Sequence, residues 1–162
     1  MVAVAVAIGS NLGDRRAHIE FARSRLDALL DGLTTSSIYE TDPVGVGAAQ
    51  GRFLNAAAVG RTTLDPHQLL DALIHIERDR GRERPFPGAP RTLDLDLILF
   101  GDDVVDTERL IVPHPRFRER AFVLKPLAEI APELRDPVTG KTVRELALAV
   151  RSGGRAQRGP LP

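Results

Sequence analysis

Two carboxylates at alternate positions, Asp94 and Asp96, stand inside the string Arg91-Thr92-Leu93-Asp94-Leu95-Asp96-Leu97. Alternation of leucine and aspartate is strand periodicity. It gives both carboxylates one face and Leu93, Leu95, Leu97 and Leu99 the other. Along a strand their Cα atoms lie about 6.6–6.8 Å apart. Carboxylates that close repel, and aspartate is disfavoured in strands, so the pair asks for a compensating charge. Magnesium suits this pattern: it takes hard oxygen ligands, needs few from protein, and recruits substrate phosphates for the rest. A strand whose acidic face is simply solvated accounts for the same spacing.

The neighbours tip the balance toward phosphate. Arg78, Arg80, Arg82, Arg84 and Arg91 crowd into the segment before the pair, and Arg109, Arg116, Arg118 and Arg120 surround His114 after it. Arginine forks match phosphate oxygens two at a time, and an acidic pair with converging arginines has the constitution of a phosphoryl-transfer site. The competing explanation is a surface ion-pair network with Glu77, Asp79, Glu83, Glu108 and Glu119. That network accounts for Arg78, Arg80, Arg116 and Arg118 better than for Arg91, which directly precedes the acidic strand. No GxxxxGK[ST] string exists, so the chain is not a P-loop enzyme. His114 lies between Pro113 and Pro115 in a rigid segment, where a structural role and a phosphate contact are equally open. His18, His67 and His75 fall on predicted helices and carry no functional claim. Asn55 shares a strand face with Phe53. An amide beside an aromatic ring suits a flat heterocycle with a donor–acceptor edge. Phe53 and Phe122 both fall on predicted strands, where core packing is the plainer reading.

These residues need a scaffold. Val2–Ile8 alternates Val and Ala as a buried strand, and Gly9–Asp14 reads as a turn. Ile19, Ala22, Leu26 and Leu30 give a helix over about 14–30, with Gly32 as its stop. Residues 33–39 read as a strand, 41–52 as a loop with Pro43, and 53–62 as a second strand. Asp65-Pro66 with Gln68 is a capping-box start to a helix ending near Asp79. Residues 81–90 form a Pro- and Gly-rich loop, and 92–100 the strongest strand. A short hairpin (104–105 with 110–112), apolar residues 122–127, a short helix at 127–130 and a last helix at 142–150 follow. The expectation is one domain over 1–150 and a mobile tail at 151–162. Strand–helix–strand–strand–helix–strand is the α+β order of a ferredoxin-like split βαβ sandwich, with helices on one face of an antiparallel sheet.

Composition removes whole classes of function. The 162 residues contain no cysteine, which excludes disulfides, thiolate metal sites and a cysteine nucleophile. Twenty-two basic side chains balance twenty-two acidic ones, so a nucleic-acid partner is not expected. No apolar run approaches a membrane span and no leader pattern is visible, so a cytoplasmic chain without a membrane partner is expected. All but two of the basic residues, Lys125 and Lys141, are arginine.

At these motifs the chain resembles the 6-hydroxymethyl-7,8-dihydropterin pyrophosphokinase family of folate biosynthesis. The matching strings are Ile8-Gly9-Ser10-Asn11-Leu12-Gly13, Phe53-Leu54-Asn55-Ala56, Pro90-Arg91-Thr92-Leu93-Asp94-Leu95-Asp96, Val112-Pro113-His114-Pro115, and Arg120-Ala121-Phe122-Val123-Leu124 with Ile130-Ala131-Pro132. They occur in family order over residues 2–134. The resemblance implies pyrophosphate transfer from ATP to the pterin hydroxymethyl group, with AMP released, by a monomer. It implies that Asp94 and Asp96 hold two magnesium ions, and that Arg82 and Arg91 neutralise charge as the hydroxyl attacks. Arg84, Arg109, His114 and Arg120 would hold ATP. Thr41, Val44, Gly45, Phe53, Asn55 and Phe122 would form the pterin pocket. The family's Arg-Trp-Gly before Pro-Arg-Thr is absent; Pro85-Phe86-Pro87-Gly88-Ala89-Pro90 stands there, and Phe86 is the expected substitute lid. Two other classes compete: a metal-dependent phosphodiesterase using the same aspartates, and a non-catalytic ligand-binding module.

Overall fold

The computed structural model describes residues 1–41, 53–81 and 92–150. The core of the chain is an antiparallel sheet whose central strand is β1, Val2–Ser10. On one side β1 pairs with β4, Phe53–Thr62; on the other it pairs with β5, Asp94–Phe100. The far edge of β4 pairs with two short strands, β2 (Asp31–Thr35) and β3 (Tyr39–Thr41). The stretch read as one strand over 33–39 is thus two, broken at Ser36. There the ladder is completed by a side chain: the Ala57 N–H donates to Ser36 Oγ at 2.8 Å. The hairpin β6 (Val105–Asp106) and β7 (Ile111–Val112) forms a separate ribbon.

Helix α1, Arg15–Leu29, starts at Asp14, whose side chain accepts from the Ala17 N–H. Helix α2, Pro66–Gly81, carries the expected reciprocal cap: the Gln68 N–H donates to Asp65 Oδ1 at 2.8 Å and the Asp65 N–H to Gln68 Oε1 at 2.9 Å. Both helices cover one face, burying Ile19, Ala22, Leu26, Leu69, Leu73 and Ile76 against Val4, Val6 and Ile8. The chain leaving α1 crosses β4 so closely at Gly60 that a Cβ there would lie 2.8 Å from the Leu30 Cβ.

The second face is covered too, which departs from the one-sided sandwich expected. Helix α3, Ala121–Ile130, packs on this face, and helix α4, Val143–Ala149, packs against α3, so that both join one core with Ala5, Ala57, Ile98 and Leu99. The Val–Ala alternation of β1 explains the division: the branched side chains face α1 and α2, and the small ones admit α3 on the other side. Helix α3 also overturns the reading of 122–127 as a strand and of 127–130 as a separate short helix. Pro126 lies inside it, and Phe122 sits in its first turn. The leucines of β5 do not all share a face either. Register slips between Ala5 and Val6, so Leu95 and Leu97 face α2 while Ile98 and Leu99 both reach the α3 core. No helix among the described residues is long and apolar enough to cross a membrane.

Behind α3 the chain closes on a fully buried carboxylate. Asp136 accepts from Arg118 Nε at 2.5 Å and Nη2 at 3.0 Å, from the Val138 N–H at 3.0 Å and from Thr139 Oγ1 at 2.8 Å. Burial pushes this carboxyl up, but the Arg118 hydrogen bonds, Thr139, the Val138 amide and the Arg118 charge together hold it below the usual range. A depressed folded-state value means that the stabilisation is present above the unfolded aspartate value of about 3.9 and is lost as pH falls through the folded one. Arg118→Ala, which strands a buried charge, is expected to cost about 3 kcal/mol in urea unfolding at pH 7. That penalty should shrink in acid, below about pH 4.

Candidate active site

Four strands in register assemble the site on the face that carries α3. In one row Tyr39 of β3 pairs with Asn55 of β4, Asn55 with Gly9 of β1, and Gly9 with Asp94 of β5. The next row runs Ala57, Ala7, Asp96. Glycine and alanine therefore separate the amide from the carboxylates. A Cβ on Gly9 would lie 3.5 Å from Asn55 Oδ1, so its absence leaves the space above β1 clear. The glycine read as part of a turn is the floor of the site, at the end of a strand longer than expected.

At the β3 end, Asn55 is buried and its Nδ2 donates to Thr41 Oγ1 at 2.8 Å. Thr41 pairs in register with Phe53. Phe53 and Asn55 point to the same side, as expected, and Phe122 rises from the first turn of α3 on that side. Arg120, at the N-cap of α3, carries its guanidinium 5.5 Å from the centre of the Phe122 ring. Thr41, Phe53, Asn55 and Phe122, from three separate elements, thus border the same face.

At the β5 end, Asp94 and Asp96 are half-buried. Between them the Leu95 N–H donates to Glu77 Oε2 of α2 at 2.8 Å, which fixes the strand that carries both carboxylates. Glu77 is expected from the sequence as a partner for surface arginines; the bond to the Leu95 N–H is a further role, and it depends on the register of α2 against β5, for which no local signal exists. Ser10 Oγ donates to the Thr92 carbonyl at 2.6 Å and ties the ends of β1 and β5 together.

His114 follows a cis Val112–Pro113 peptide and is anchored by its own N–H to the Ile98 carbonyl at 2.9 Å. Its Nδ1 accepts from the Arg116 N–H at 3.2 Å, so the neutral ring carries its proton on Nε2. Burial pushes this imidazole below the ordinary histidine range. The Arg120 and Arg116 charges push the same way, against the pull of Asp96. A cavity of about 300 Å³ brings His114 together with Asp96, Arg109 and Leu70. A second, of about 470 Å³, runs along α2 past Glu77 and Thr92 and shares Asp96 and Leu70 with the first. Arg109 forms an ion pair with Asp71 of α2.

The arginine clusters divide. Arg116 pairs with Glu119, as the surface-network reading has it. Arg118 belongs instead to the Asp136 turn, and Arg80 donates to His18 Nδ1 at 2.8 Å and covers Phe21. Val44, Gly45, Arg82, Arg84, Phe86 and Arg91 lie outside the described residues, as does the 151–162 tail. With its shift to lower values, His114 is expected to titrate in an NMR series below the ordinary histidine midpoint of about 6.5. A midpoint above that value would contradict the burial described here.

Residues 5–132 match the family described as 7,8-dihydro-6-hydroxymethylpterin-pyrophosphokinase. The chain is 46% identical over 136 residues to the 2-amino-4-hydroxy-6-hydroxymethyldihydropteridine pyrophosphokinase of Bacillus subtilis, covering 83% of this chain and 81% of the relative. It is also 46% identical, over 148 residues, to the protein of the same name from Pseudomonas aeruginosa, covering 90% of each. Among solved structures, the wild-type HPPK-DHPS of Plasmodium falciparum superposes with a TM-score of 0.73 at 16% identity, a likeness of fold alone. That match covers 91% of this chain and spans 44% of the length of the solved one. By sequence over most of its length, the chain belongs to the 7,8-dihydro-6-hydroxymethylpterin-pyrophosphokinase family.

Proposed function

We propose that the Asn55–Gly9–Asp94 row and the cavities beyond β5 are the two halves of one transfer site. The chain is a pyrophosphokinase of folate biosynthesis, with ATP as its co-substrate. In the reaction the hydroxymethyl oxygen of 6-hydroxymethyl-7,8-dihydropterin bonds to the β-phosphorus of ATP. The bond from that phosphorus to the oxygen bridging the α-phosphate breaks, AMP leaves, and the hydroxyl proton is released to solvent. The observation that carries the site assignment is the order of groups across the sheet. A slot fit for a flat ring (Thr41, Phe53, Asn55, Phe122) comes first, then the open floor of Gly9 and Ala7. The paired carboxylates follow, and then the trough with His114 and Arg109.

The donor set fits magnesium. Asp94 and Asp96 supply hard oxygens from one strand face, and the described residues contain no cluster of three or more acidic or histidine side chains that could enclose an ion. Two protein carboxylates with the remaining positions left to phosphates and water is the ordinary magnesium arrangement. Two magnesium ions held by Asp94 and Asp96 would supply charge neutralisation on the triphosphate. The protein does the rest by positioning. Neutral His114 offers Nε2–H to a phosphate oxygen. Arg120 stands at the N-terminus of α3, where the helix dipole also favours an anion. Arg109 exchanges Asp71 for phosphate, at small cost because exposed pairs contribute at most about 1 kcal/mol. By the family resemblance, Arg82 and Arg91 would neutralise charge as the hydroxyl attacks, Arg84 would help hold ATP, and Val44, Gly45 and Phe86 would belong to the pterin site, all six lying outside the described residues.

The same reading extends to the architecture. Each crossover through α1 and α2 joins parallel strands with an antiparallel one between them, which supports a ferredoxin-like split βαβ core in a single domain over 1–150. We read the enzyme as a cytoplasmic monomer; the sequence has no cysteine, and no helix among the described residues is long and apolar enough to cross a membrane.

The decisive assay is AMP release with and without the pterin. Asp94→Asn and Asp96→Asn are each expected to lower kcat on the order of 10²–10³-fold with the melting temperature kept. AMP release that ignores the pterin would overturn the transfer reading in favour of a phosphodiesterase, and ATP binding indifferent to magnesium and to both substitutions would overturn the metal assignment. Gly9→Val, which fills the floor, is expected to abolish pterin binding in a fluorescence titration while ATP binding survives.

A further inference from the structure

Glu129 stands in the last turn of α3, about two turns beyond Phe122 and on the same stripe of the helix. Its carboxylate reaches the sheet edge and gathers three donors. The Ser37 N–H approaches Oε2 at 3.1 Å, Ser37 Oγ donates to the same oxygen at 3.0 Å, and the Tyr39 hydroxyl donates to Oε1 at 2.7 Å. Tyr39 is buried, so its hydroxyl depends on that partner. Hydrogen bonds to an ionised acceptor are among the strong ones.

The two segments joined here are the two walls of the ring slot. Strand β3 continues from Tyr39 to Thr41, which accepts from Asn55 and pairs with Phe53. Helix α3 runs back from Glu129 to Phe122. Each wall is pinned at one end and carries its slot residue at the other. Dispersion contacts are steep: a gap wider by 0.5–1 Å forfeits about a quarter to a half of the attraction.

We propose that Glu129 is a positioning residue. By tying Ser37 and Tyr39 to the last turn of α3, it sets the spacing between the Phe122 ring and the Asn55–Thr41 pair, and with it the affinity for the flat heterocycle. This rests on the slot assignment above. It makes no contact with the phosphates, so its loss acts on one substrate only.

The test uses the full chain with Glu129→Ala, Tyr39→Phe and Glu129→Gln, and with Ile19→Val as a destabilised control on the opposite face of the sheet. For Glu129→Ala the KM for the pterin and its Kd by fluorescence rise about tenfold, the loss expected when the ring forfeits part of its contacts with the slot. The kcat and the KM for ATP stay within about twofold. Tyr39→Phe, which removes one of the three donors, gives a smaller shift in the same direction. Glu129→Gln, whose amide oxygen still accepts, restores most of the affinity. An unchanged pterin Kd in Glu129→Ala overturns the proposal, and so does an equal rise in Ile19→Val, which would mark the effect as general loosening. A wild-type chain that binds the pterin without releasing AMP would sink the transfer reading instead, leaving the clamp to be judged by Kd alone.

Discussion

The site depends on the register of one strand. β1 is held between β4 and β5, and its pairing sets Asn55 and Asp94 opposite the same residue, Gly9. A slip of one residue on either side would send the amide or the carboxylate to the opposite face, since side chains alternate with a period of two. The register is strongly specified because both faces are buried. Val4, Val6 and Ile8 must stay under α1 and α2, and Ala5 must stay under α3 and α4. The hydrophobic core therefore does more than stabilise the chain. It holds an amide and two carboxylates in alignment across three strands.

Much of this was legible along the chain because the signals are local. The Leu–Asp alternation of 93–97 fixes a strand and the common face of Asp94 and Asp96. The Asp65-Pro66 start with Gln68 is the cap observed. Phe53 and Asn55 share a side because they lie two apart on one strand. The motif strings carry the family.

What was not legible depends on contacts between distant segments. Phe122 was read on a strand because a short apolar run has no period that separates strand from buried helix. Only the second sheet face, which α3 covers, decides it. The Val–Ala alternation of β1 did contain a hint, since a strand apolar on both faces needs cover on both. Leu99 leaves the face of Leu95 and Leu97 because β5 carries an extra residue, Ile98, opposite the Ala5–Val6 step of β1, and the Leu pattern of β5 alone gives no sign of it. The backbone bond of Glu77 and the whole role of Glu129 were hidden for the same reason: each acts on a backbone or hydroxyl donor far away in the chain.

The bulge in β5 has a consequence for how errors travel. Residues 94–97 and residues 99–100 are each counted against β1 from their own origin, with Ile98 taking up the difference. The carboxylate end is thereby insulated from the turn at Gly101, whose backbone approaches Val2 so closely that a Cβ would come within 2.6 Å of its Cγ1. Crowding or a change of length at that turn can be absorbed at the bulge before it reaches the acidic pair. The strand behaves as two short rulers joined by a slack link, and only one of them measures out the chemistry.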